Sequence, residues 1–271
     1  MVVHEGTQLY VGQDHDQPVV CPFADGQVAV FSHRAPDKES PNEDAAALIV
    51  VDEHRGAIVV ADGCGGMSSG EIAARLAVQS LRRSVETGVK NGSSLRSAIL
   101  DGIERANQQV RKLATGAATT LAAVELDVNS MRVFHVGDSQ VLLVGNHGKV
   151  KLQTRSHSPV GYAVEAGVLS EEEAIHHEDR HIVSNVVGSH DTHIEIGPWR
   201  KLSPRDTLLV ASDGLFDNLH LDEIVGIIRK GPMDRAAGEL VVYVSRRMSN
   251  SDPEHPSKPD DLTFVLFRLK R

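Results

Sequence analysis

Apolar residues along this 271-residue chain fall into short runs that lead into acidic residues. Residues 58–61 are apolar and end at Asp62, and residues 208–211 lead through Ser212 to Asp213. Runs of this length with β-branched residues, bounded by glycine, are typical of buried strands. The glycine after each aspartate permits a tight backbone path close to a ligand. The pattern therefore predicts strands that hold a carboxylate rigidly at one end.

This pattern is repeated, which separates it from an ordinary Asp-Gly turn. Three more acidic points stand next to apolar runs, at Asp138, at Glu43-Asp44 and at Asp260-Asp261. No cluster of cysteine or histidine stands beside them in the sequence. Carboxylates without soft ligands are the oxygen donors that Mg²⁺ and Mn²⁺ prefer. The sequence predicts a hard-cation site where these strand ends meet.

Two of the runs are joined so closely that they predict a hairpin. Residues 45–51 and 56–61 are separated by a short polar turn at residues 52–55. Antiparallel neighbours begin and end together, so Asp44 and Asp62 are expected at the same end of one sheet.

The remaining periodicity predicts an α+β fold. Helices are expected at residues 69–86, 94–113, 221–230 and 233–248, the first capped by Ser68 with Glu71. Further strands are expected at residues 28–31, 119–126, 131–136, 139–144, 149–152, 208–212 and 262–269. Residues 154–189 are irregular apart from a short acidic helix capped by Ser170 and Glu173. Strands in runs and helices in pairs favour antiparallel sheets stacked with helical layers outside them.

The chain is expected to contain one domain, at residues 28–271, preceded by a loose arm at residues 1–27. The arm shows little periodicity, and one edge strand is expected near residues 8–11. A hydrophobic content of 41% with 24% charged residues is ordinary for a globular protein of this length.

Charge and cysteine content narrow the class of function. The net charge is −9 and the basic residues are scattered, which argues against a nucleic-acid partner. Cys21 and Cys64 form no CxxC motif, no secretory leader precedes them, and no apolar run is long enough to cross a membrane. We expect a cytoplasmic monomer that does not enter membranes.

Seven motifs carry a resemblance to a known family. They are, in chain order, Asn42-Glu43-Asp44-Ala45, residues 61–66 with Ser69-Gly70-Glu71, residues 116–120, residues 136–139, Thr154 with His157-Ser158, residues 211–217 and residues 260–263. In this order they resemble the metal-dependent serine/threonine protein phosphatases of the PPM (type-2C) family, in the single-domain form found in bacteria. The resemblance covers nearly the whole chain. It implies a four-layer α/β/β/α sandwich of two antiparallel sheets flanked by helix pairs, with a binuclear Mn²⁺ or Mg²⁺ centre at one end.

The resemblance also assigns roles to individual residues. It implies that Asp62 bridges both ions and that Asp213 and Asp260 complete the first. It further implies that Glu43 and the Gly63 carbonyl serve the second ion, that Asp44 holds a water of the centre, and that Asp138 with Asp213 is the place of a third, weaker ion. Asp62 and Asp213 are therefore the expected catalytic carboxylates.

A cation is expected over the site to bind the outer phosphate oxygens. The loop that leads into Glu43 contains two candidates, Arg34 and Lys38. Arg34 is preferred because a guanidinium can hold two oxygens at once, but Lys38 remains the alternative. Cys64 lies beside the expected cationic centre, where the thiolate form of a cysteine is favoured.

The function implied by the resemblance is hydrolysis of phosphoserine and phosphothreonine in proteins by a metal-activated water. Phosphorylated proteins are the expected substrates, and a cognate serine/threonine kinase is an expected partner. Two alternatives stay open at this point. One is a catalytically inactive phosphatase-like binding module, and the other is a metal-dependent phosphatase that acts on small phosphoesters.

Overall fold

Two antiparallel sheets face each other at the centre of the protein, in a computed structural model that describes residues 6–64, 69–250 and 255–270. The strands of the described residues are β1 (Gln8–Val11), β2 (Val19–Phe23), β3 (Gly26–His33), β4 (Asp44–Val50), β5 (Arg55–Cys64), β6 (Ala118–Thr119), β7 (Leu121–Asp127), β8 (Ser130–Val136), β9 (Gln140–Val144), β10 (Val150–Gln153), β11 (Glu195–Ile196), β12 (Arg200–Lys201), β13 (Thr207–Ala211) and β14 (Leu262–Leu269). The helices are α1 (Ser69–Lys90), α2 (Leu95–Lys112), α3 (Pro159–Glu165), α4 (Glu171–Ile175), α5 (Asp213–Phe216), α6 (Leu221–Ile228) and α7 (Met233–Ser249), with a 3₁₀ turn at Glu178–His181.

The first sheet has the strand order β1-β4-β5-β7-β8-β11, with β6 beside β5 and β12 beside β8. The second sheet has the order β10-β9-β13-β14-β3-β2. Neighbouring strands pair antiparallel throughout both sheets. The last strand of the chain, β14, thus lies in the middle of the second sheet, between β13 and β3.

Three apolar layers hold four structural layers together. In β4 and β5, Leu48 and Ile58 belong to the layer between the two sheets, whereas Ile49 and Val59 belong to the layer under α1 and α2. Successive side chains of a strand point to opposite faces, so a strand buried on both sides must be apolar at every position. A third layer packs the second sheet against α6 and α7. The α+β class and the four-layer sandwich expected from the sequence are confirmed.

Most of the expected elements occur within one to four residues of their predicted ends. The predicted hairpin is present as β4 and β5, and the capping box of Ser170 with Glu173 begins α4. The predicted cap at Ser68 lies outside the described residues, although α1 begins at the expected place.

The N-terminal segment differs from the loose arm that we expected. The predicted edge strand is present as β1, which pairs with β4 in the first sheet. A second strand that was not predicted, β2, pairs with β3 in the second sheet. Residues 8–23 therefore belong to both sheets, because their short apolar stretches extend existing edges. The division of the chain at residue 27 stays a prediction.

No helix in the described part of the chain is both long and apolar enough to cross a membrane.

Candidate metal centre

Asp44 and Asp62 face each other across the hairpin of β4 and β5, as predicted. The Asp44 side chain is almost fully buried, and its Oδ2 accepts a hydrogen bond of 2.8 Å from the Ser212 hydroxyl at the end of β13. The Asp62 backbone amide is held by the Thr120 hydroxyl at 3.1 Å. Neighbouring strands of the first sheet thus bring both carboxylates to one edge, where hydroxyl groups hold the Asp44 side chain and the Asp62 backbone.

Glycines let the backbone close tightly around Glu43. A Cβ on Gly63 would lie 2.2 Å from the Gly70 carbonyl oxygen at the start of α1, and one on Gly70 would lie 2.6 Å from the Glu43 carboxylate. The Gly63 amide also donates to the Glu43 carbonyl at 3.2 Å. No side chain larger than hydrogen fits at either glycine, so the Glu43 backbone packs on Gly63 and the Glu43 carboxylate lies beside Gly70.

Two further carboxylates arrive from other strand ends. Asp138 follows Gly137, whose φ of +103° is a left-handed conformation that favours glycine, and Asp138 is 6% exposed. Asp213 is the first residue of α5, directly after β13. The next residue, Gly214, packs so closely on the Asp261 carbonyl that a Cβ would lie 2.0 Å from its oxygen.

A half-buried lysine that the sequence did not single out binds these carboxylates. The Lys258 ammonium lies 2.6 Å from Asp213 Oδ2, 2.9 Å from Asp217 Oδ2 and 3.0 Å from Asp260 Oδ2. The Lys258 side chain is 22% exposed. No periodicity marks residue 258, since it lies in the loop before β14, and only the tertiary fold brings it to the aspartates.

We call Glu43, Asp44, Asp62, Asp138, Asp213 and Asp260 the acidic centre. Burial, and then repulsion by Asp44, Asp213 and other carboxylates of the centre, raises the pKa of Asp62 well above its usual range. Burial and Asp261 act in the same direction on the pKa of Asp44. The same causes raise the pKa of Asp138 to about 8 and that of Asp260 to about 6. Without added positive charge, the acidic centre resists full ionisation.

Unpaired oxygen atoms show that the acidic centre fits a metal ion. Asp44 Oδ1, Asp138 Oδ1 and Asp213 Oδ1 are buried and have no hydrogen-bond partner. Such atoms are costly unless something satisfies them, and hard divalent cations bind this kind of oxygen. No three of these carboxylates bring ligand atoms within 4.8 Å of one another in the described residues, so the centre is wider than a cage for one ion.

Arg34 and Lys38, the two candidates for binding the substrate phosphate, have different partners in the structure. Arg34 pairs with Asp14 of the N-terminal segment at 3.1 Å, and its backbone amide donates to the same carboxylate. Lys38 Nζ instead lies 2.9 Å from Glu43 Oε2 and 2.7 Å from Asp261 Oδ2. These contacts connect Lys38, and not Arg34, with the acidic centre, so the preference for Arg34 remains without support.

Asp261 was recognised in the sequence only as the neighbour of Asp260. In the structure its carboxylate accepts hydrogen bonds from the Ala35 amide at 2.8 Å, the Glu43 amide at 2.6 Å and the Lys38 ammonium. Asp261 therefore fastens the loop of residues 35–43 to the start of β14. An acidic pair at a strand start was the available signal, but it does not reveal which member binds the loop.

The environment of Cys64 differs from the expected one. Burial and the nearby carboxylates Asp138 and Asp213 raise the pKa of the Cys64 thiol to about 11. In the absence of added cations the thiol stays protonated, so the expectation of a favoured thiolate is not supported by its protein neighbours.

A second cluster of polar residues lies behind the turn that carries Asp138. Ligand atoms of His135, His157 and Glu195 come within 4.8 Å of one another, and we call these residues the histidine cluster. His157 Nε2 lies 3.1 Å from Glu195 Oε2, and the two imidazole rings are 4.5 Å apart. The sequence analysis missed this cluster because Glu195 comes from a strand of two residues.

Hydrogen bonds argue against a metal ion in the histidine cluster. His157 Nδ1 accepts from the Gly137 amide at 3.2 Å and from the Asn185 side-chain amide at 2.9 Å. A neutral imidazole that accepts at Nδ1 carries its proton at Nε2, where it donates to Glu195. No lone pair is then left for a metal at Nε2. The cluster instead fixes the turn at Gly137, whose carbonyl also accepts from the His157 amide at 2.8 Å.

Sequence comparison matches the chain to known proteins. The family model described as protein phosphatase 2C matches residues 32–253. A protein from Streptococcus pyogenes serotype M6, described as a putative protein phosphatase 2C-type, is 34% identical over 198 residues, which make up 70% of this chain and 80% of that protein.

Solved structures show the same architecture. A serine/threonine phosphatase of S. agalactiae superposes with a TM-score of 0.76 at 25% identity, covering 90% of this chain and 100% of that one. The catalytic domain of the serine threonine phosphatase PstP, solved in complex with two manganese ions, has a TM-score of 0.70 at 24% identity and covers 90% and 98%. At this identity, the second comparison shows only that the two proteins share a fold.

Proposed function

The chain belongs to the protein phosphatase 2C family and is a serine/threonine protein phosphatase, and we propose that its acidic centre is the place where two Mn²⁺ or Mg²⁺ ions bind for this hydrolysis. The resemblance seen in the sequence motifs is thereby confirmed at the level of family, enzyme class and fold.

One observation carries the proposal for the centre. Asp44, Asp138 and Asp213 come from separate strand ends of both sheets, and each keeps a buried carboxylate oxygen without a hydrogen-bond partner. In a structural ion pair or a hydrogen-bonded core these oxygen atoms would have partners, whereas in a cation site they stay free to bind the ion. A manganese pair in a protein of the same fold supports this assignment.

Within this proposal each residue has a separate task. Asp62 would hold both ions, Asp213 and Asp260 would hold one of them, and Glu43 with the Gly63 carbonyl would hold the other. Asp44, fixed by Ser212, orients a water molecule. When bound, the ions supply a nucleophilic water near neutral pH and neutralise charge on the phosphoryl oxygens.

Lys38 is the residue that we assign to the outer phosphate oxygens. An ammonium group has three donors, and two of them are directed to Glu43 and Asp261. The third remains for a phosphate that arrives over the acidic centre. The 20% exposure of the Lys38 side chain keeps it accessible from solvent.

Turnover of a phosphothreonine peptide by the full-length chain tests the proposal. We expect phosphate release that requires Mn²⁺ or Mg²⁺, stops with EDTA and returns when the ion is restored. Asp206→Asn should keep this metal-dependent activity, because Asp206 is a buried aspartate that pairs with Lys151 away from the acidic centre. It is the control for aspartate-to-asparagine variants of the acidic centre. Activity that survives thorough removal of metal would contradict the proposal.

The family match supports the main function over the two alternatives that the sequence left open, and the same assay tests both of them. An inactive binding module would bind the phosphopeptide without releasing phosphate at any metal concentration. A phosphatase of small phosphoesters would show a higher kcat/KM for a compound such as phosphoserine than for the peptide. Phosphoprotein substrates follow from the enzyme class, whereas a cognate kinase, a cytoplasmic location and a monomeric state stay predictions.

A further inference from the structure

Lys258 supplies the acidic centre with a positive charge of its own. Its ammonium group has three donors, and the structure provides three carboxylate partners, from Asp213, Asp217 and Asp260, between 2.6 and 3.0 Å away. Asp213 and Asp217 are one turn apart on and after α5, so they present oxygens to the same side. Carboxylate oxygens therefore occupy all three hydrogen-bond donors of the ammonium group.

The backbone holds this lysine in place. The Lys258 amide donates to Asn218 Oδ1 at 2.8 Å, and Asn218 Nδ2 donates back to the Lys258 carbonyl at 2.8 Å. Asn218 is fully buried and also binds the Gly214 carbonyl beside Asp213. The lysine and the carboxylates are thus attached to the same rigid corner. A side chain that reached the aspartates by chance from a free loop would have no such attachment.

The contacts use only part of the acidic centre. Lys258 binds Oδ2 of Asp213, while Oδ1 of the same carboxylate is buried and unpaired, as is Oδ1 of Asp138. An ion bound through these free oxygens can coexist with the lysine. Asp260 accepts from Lys258 at Oδ2 and from the Asp261 amide at Oδ1, and each carboxylate oxygen keeps a second lone pair for an ion. An ion placed between Asp138 and Asp213 on the side of Oδ2 would meet the ammonium group at short range, and like charges repel strongly in a buried site.

We propose that Lys258 acts as an internal cation that occupies the Asp213-Asp217-Asp260 pocket and keeps a third divalent ion out of the acidic centre. The inference rests on the proposed function, because it presumes that the two principal ions bind. It replaces the third ion expected from the sequence with a fixed charge of the chain. Positive charge at this position would then be independent of the metal concentration.

Calorimetric titration of Mn²⁺ into the EDTA-stripped full-length chain tests the proposal. We expect two bound ions per chain for the wild type and three for Lys258→Met. The third ion of Lys258→Met should bind at least about tenfold more tightly than any third ion that the wild type binds. Lys258→Arg keeps the charge and should bind two ions. Lys151→Met is the matched control, because it removes a lysine that is also paired, with Asp206, but lies away from the acidic centre.

Thermal unfolding gives a second readout. Loss of Lys258 leaves three carboxylates uncompensated, so Lys258→Met should unfold at a lower temperature than the wild type in EDTA and gain more from Mn²⁺. If Lys258→Met does not fold, Lys258→Arg still decides, because a third ion in that variant would overturn the proposal.

The outcomes separate the two proposals. Equal isotherms for wild type and Lys258→Met, in a wild type that binds Mn²⁺ and releases phosphate, overturn the role of Lys258 alone. A wild type that neither binds Mn²⁺ nor releases phosphate overturns the proposed metal centre. If only Lys258→Met then binds the ion, the lysine competes with a principal ion, and the proposal that it excludes a third ion is overturned. If no variant binds it, both proposals fall.

Discussion

Asp44 and Asp62 are direct cross-strand partners on β4 and β5, at the one end of the hairpin where both strands meet the acidic centre. Like charges placed directly opposite each other destabilise a sheet. Asp44 is buried and Asp62 is half-buried, so solvent screens their repulsion only in part. The pair is therefore a cost to the fold that a bound cation relieves.

The first prediction concerns this pair. Asp62→Asn should lower Mn²⁺-dependent turnover of a phosphopeptide by at least about 100-fold, since even groups that only support metal ligands are worth about 10–100-fold. The same variant should unfold at a higher temperature than the wild type in EDTA, because it removes an ionisable group that the other carboxylates of the acidic centre repel. Steady-state kinetics and thermal unfolding measure the two effects.

The opposite directions of these effects make the prediction specific. A variant that loses activity because it folds poorly would lose stability as well. Asp213→Asn should also abolish turnover but should not gain stability in EDTA to the same degree, because it breaks an ion pair with Lys258.

The second prediction decides between the two loop cations. Lys38→Met should lower kcat/KM for a phosphopeptide by about tenfold or more, because a hydrogen bond to a charged group contributes about 1.5–3 kcal/mol. Arg34→Met should behave like the wild type, since Arg34 pairs with Asp14. Mn²⁺ affinity is measured alongside, because Lys38 also touches Glu43. If Arg34→Met alone raises KM, the anchor is Arg34.

The third prediction concerns the turn before Asp138. Gly137→Ala should lower the free energy of unfolding by about 1–3 kcal/mol, the usual cost of a residue forced into a rare backbone conformation. The added Cβ would also lie 2.7 Å from the Thr120 side chain. Gly238→Ala on α7 is the matched control, where a Cβ meets nothing within 4 Å and should stabilise the helix by about 0.5–1 kcal/mol. Denaturant unfolding of both variants provides the comparison.

The fourth prediction concerns acid stability. The nearby imidazoles of His135, 4.0 Å away, and of His157, which donates a hydrogen bond at 3.1 Å, outweigh partial burial and lower the pKa of Glu195 to about 2 from an ordinary 4.5. A lowered folded pKa contributes stability that is complete above pH 4.5 and disappears as the pH falls towards 2. The melting temperature of Glu195→Gln should thus lie below that of the wild type above pH 4.5, and the gap should close towards pH 2.

His157 also contributes to the dependence of stability on pH, in the range just above that of Glu195. Burial, and then His135, lowers the pKa of His157 below its ordinary 6.5, so folding keeps it neutral. The unfolded chain takes up the proton first, and stability falls as the pH drops below 6.5. The acidic centre affects the melting temperatures of the wild type and of Glu195→Gln alike, so the difference between them at each pH excludes its contribution. A constant gap across the whole range would contradict the role given to Glu195.

The sequence reveals those parts of the fold and of the site that depend on local pattern. The hairpin of β4 and β5 follows from two apolar runs and a short turn, which is why the pairing of Asp44 with Asp62 could be predicted. Strand ends marked by an acidic residue located every aspartate of the acidic centre. Strands in runs and helices in pairs predicted stacked sheets with helical layers outside, and the resemblance of the motifs implied the four layers.

Features that depend on distant parts of the chain were missed. Lys258 and its holder Asn218 are 40 residues apart, and neither belongs to a periodic run. Glu195 reaches His157 from β11, a strand of two residues that has no pattern to recognise. The choice between Arg34 and Lys38 failed for a related reason. Asp14 and Asp261, which bind these side chains, lie 20 and 223 positions away.

The hold of Asp261 on the loop of residues 35–43 has a consequence for how the protein is made. Its partners Ala35 and Glu43 precede it by 226 and 218 positions. Contacts that close so long a loop form late and slowly. While the chain leaves the ribosome, β4 and β5 can pair early, but the loop beside Glu43 has nothing to hold it until β14 enters the middle of the second sheet. The catalytic end is thus completed only after β14 has been made, so a chain that stops before β14 is expected to lack phosphatase activity.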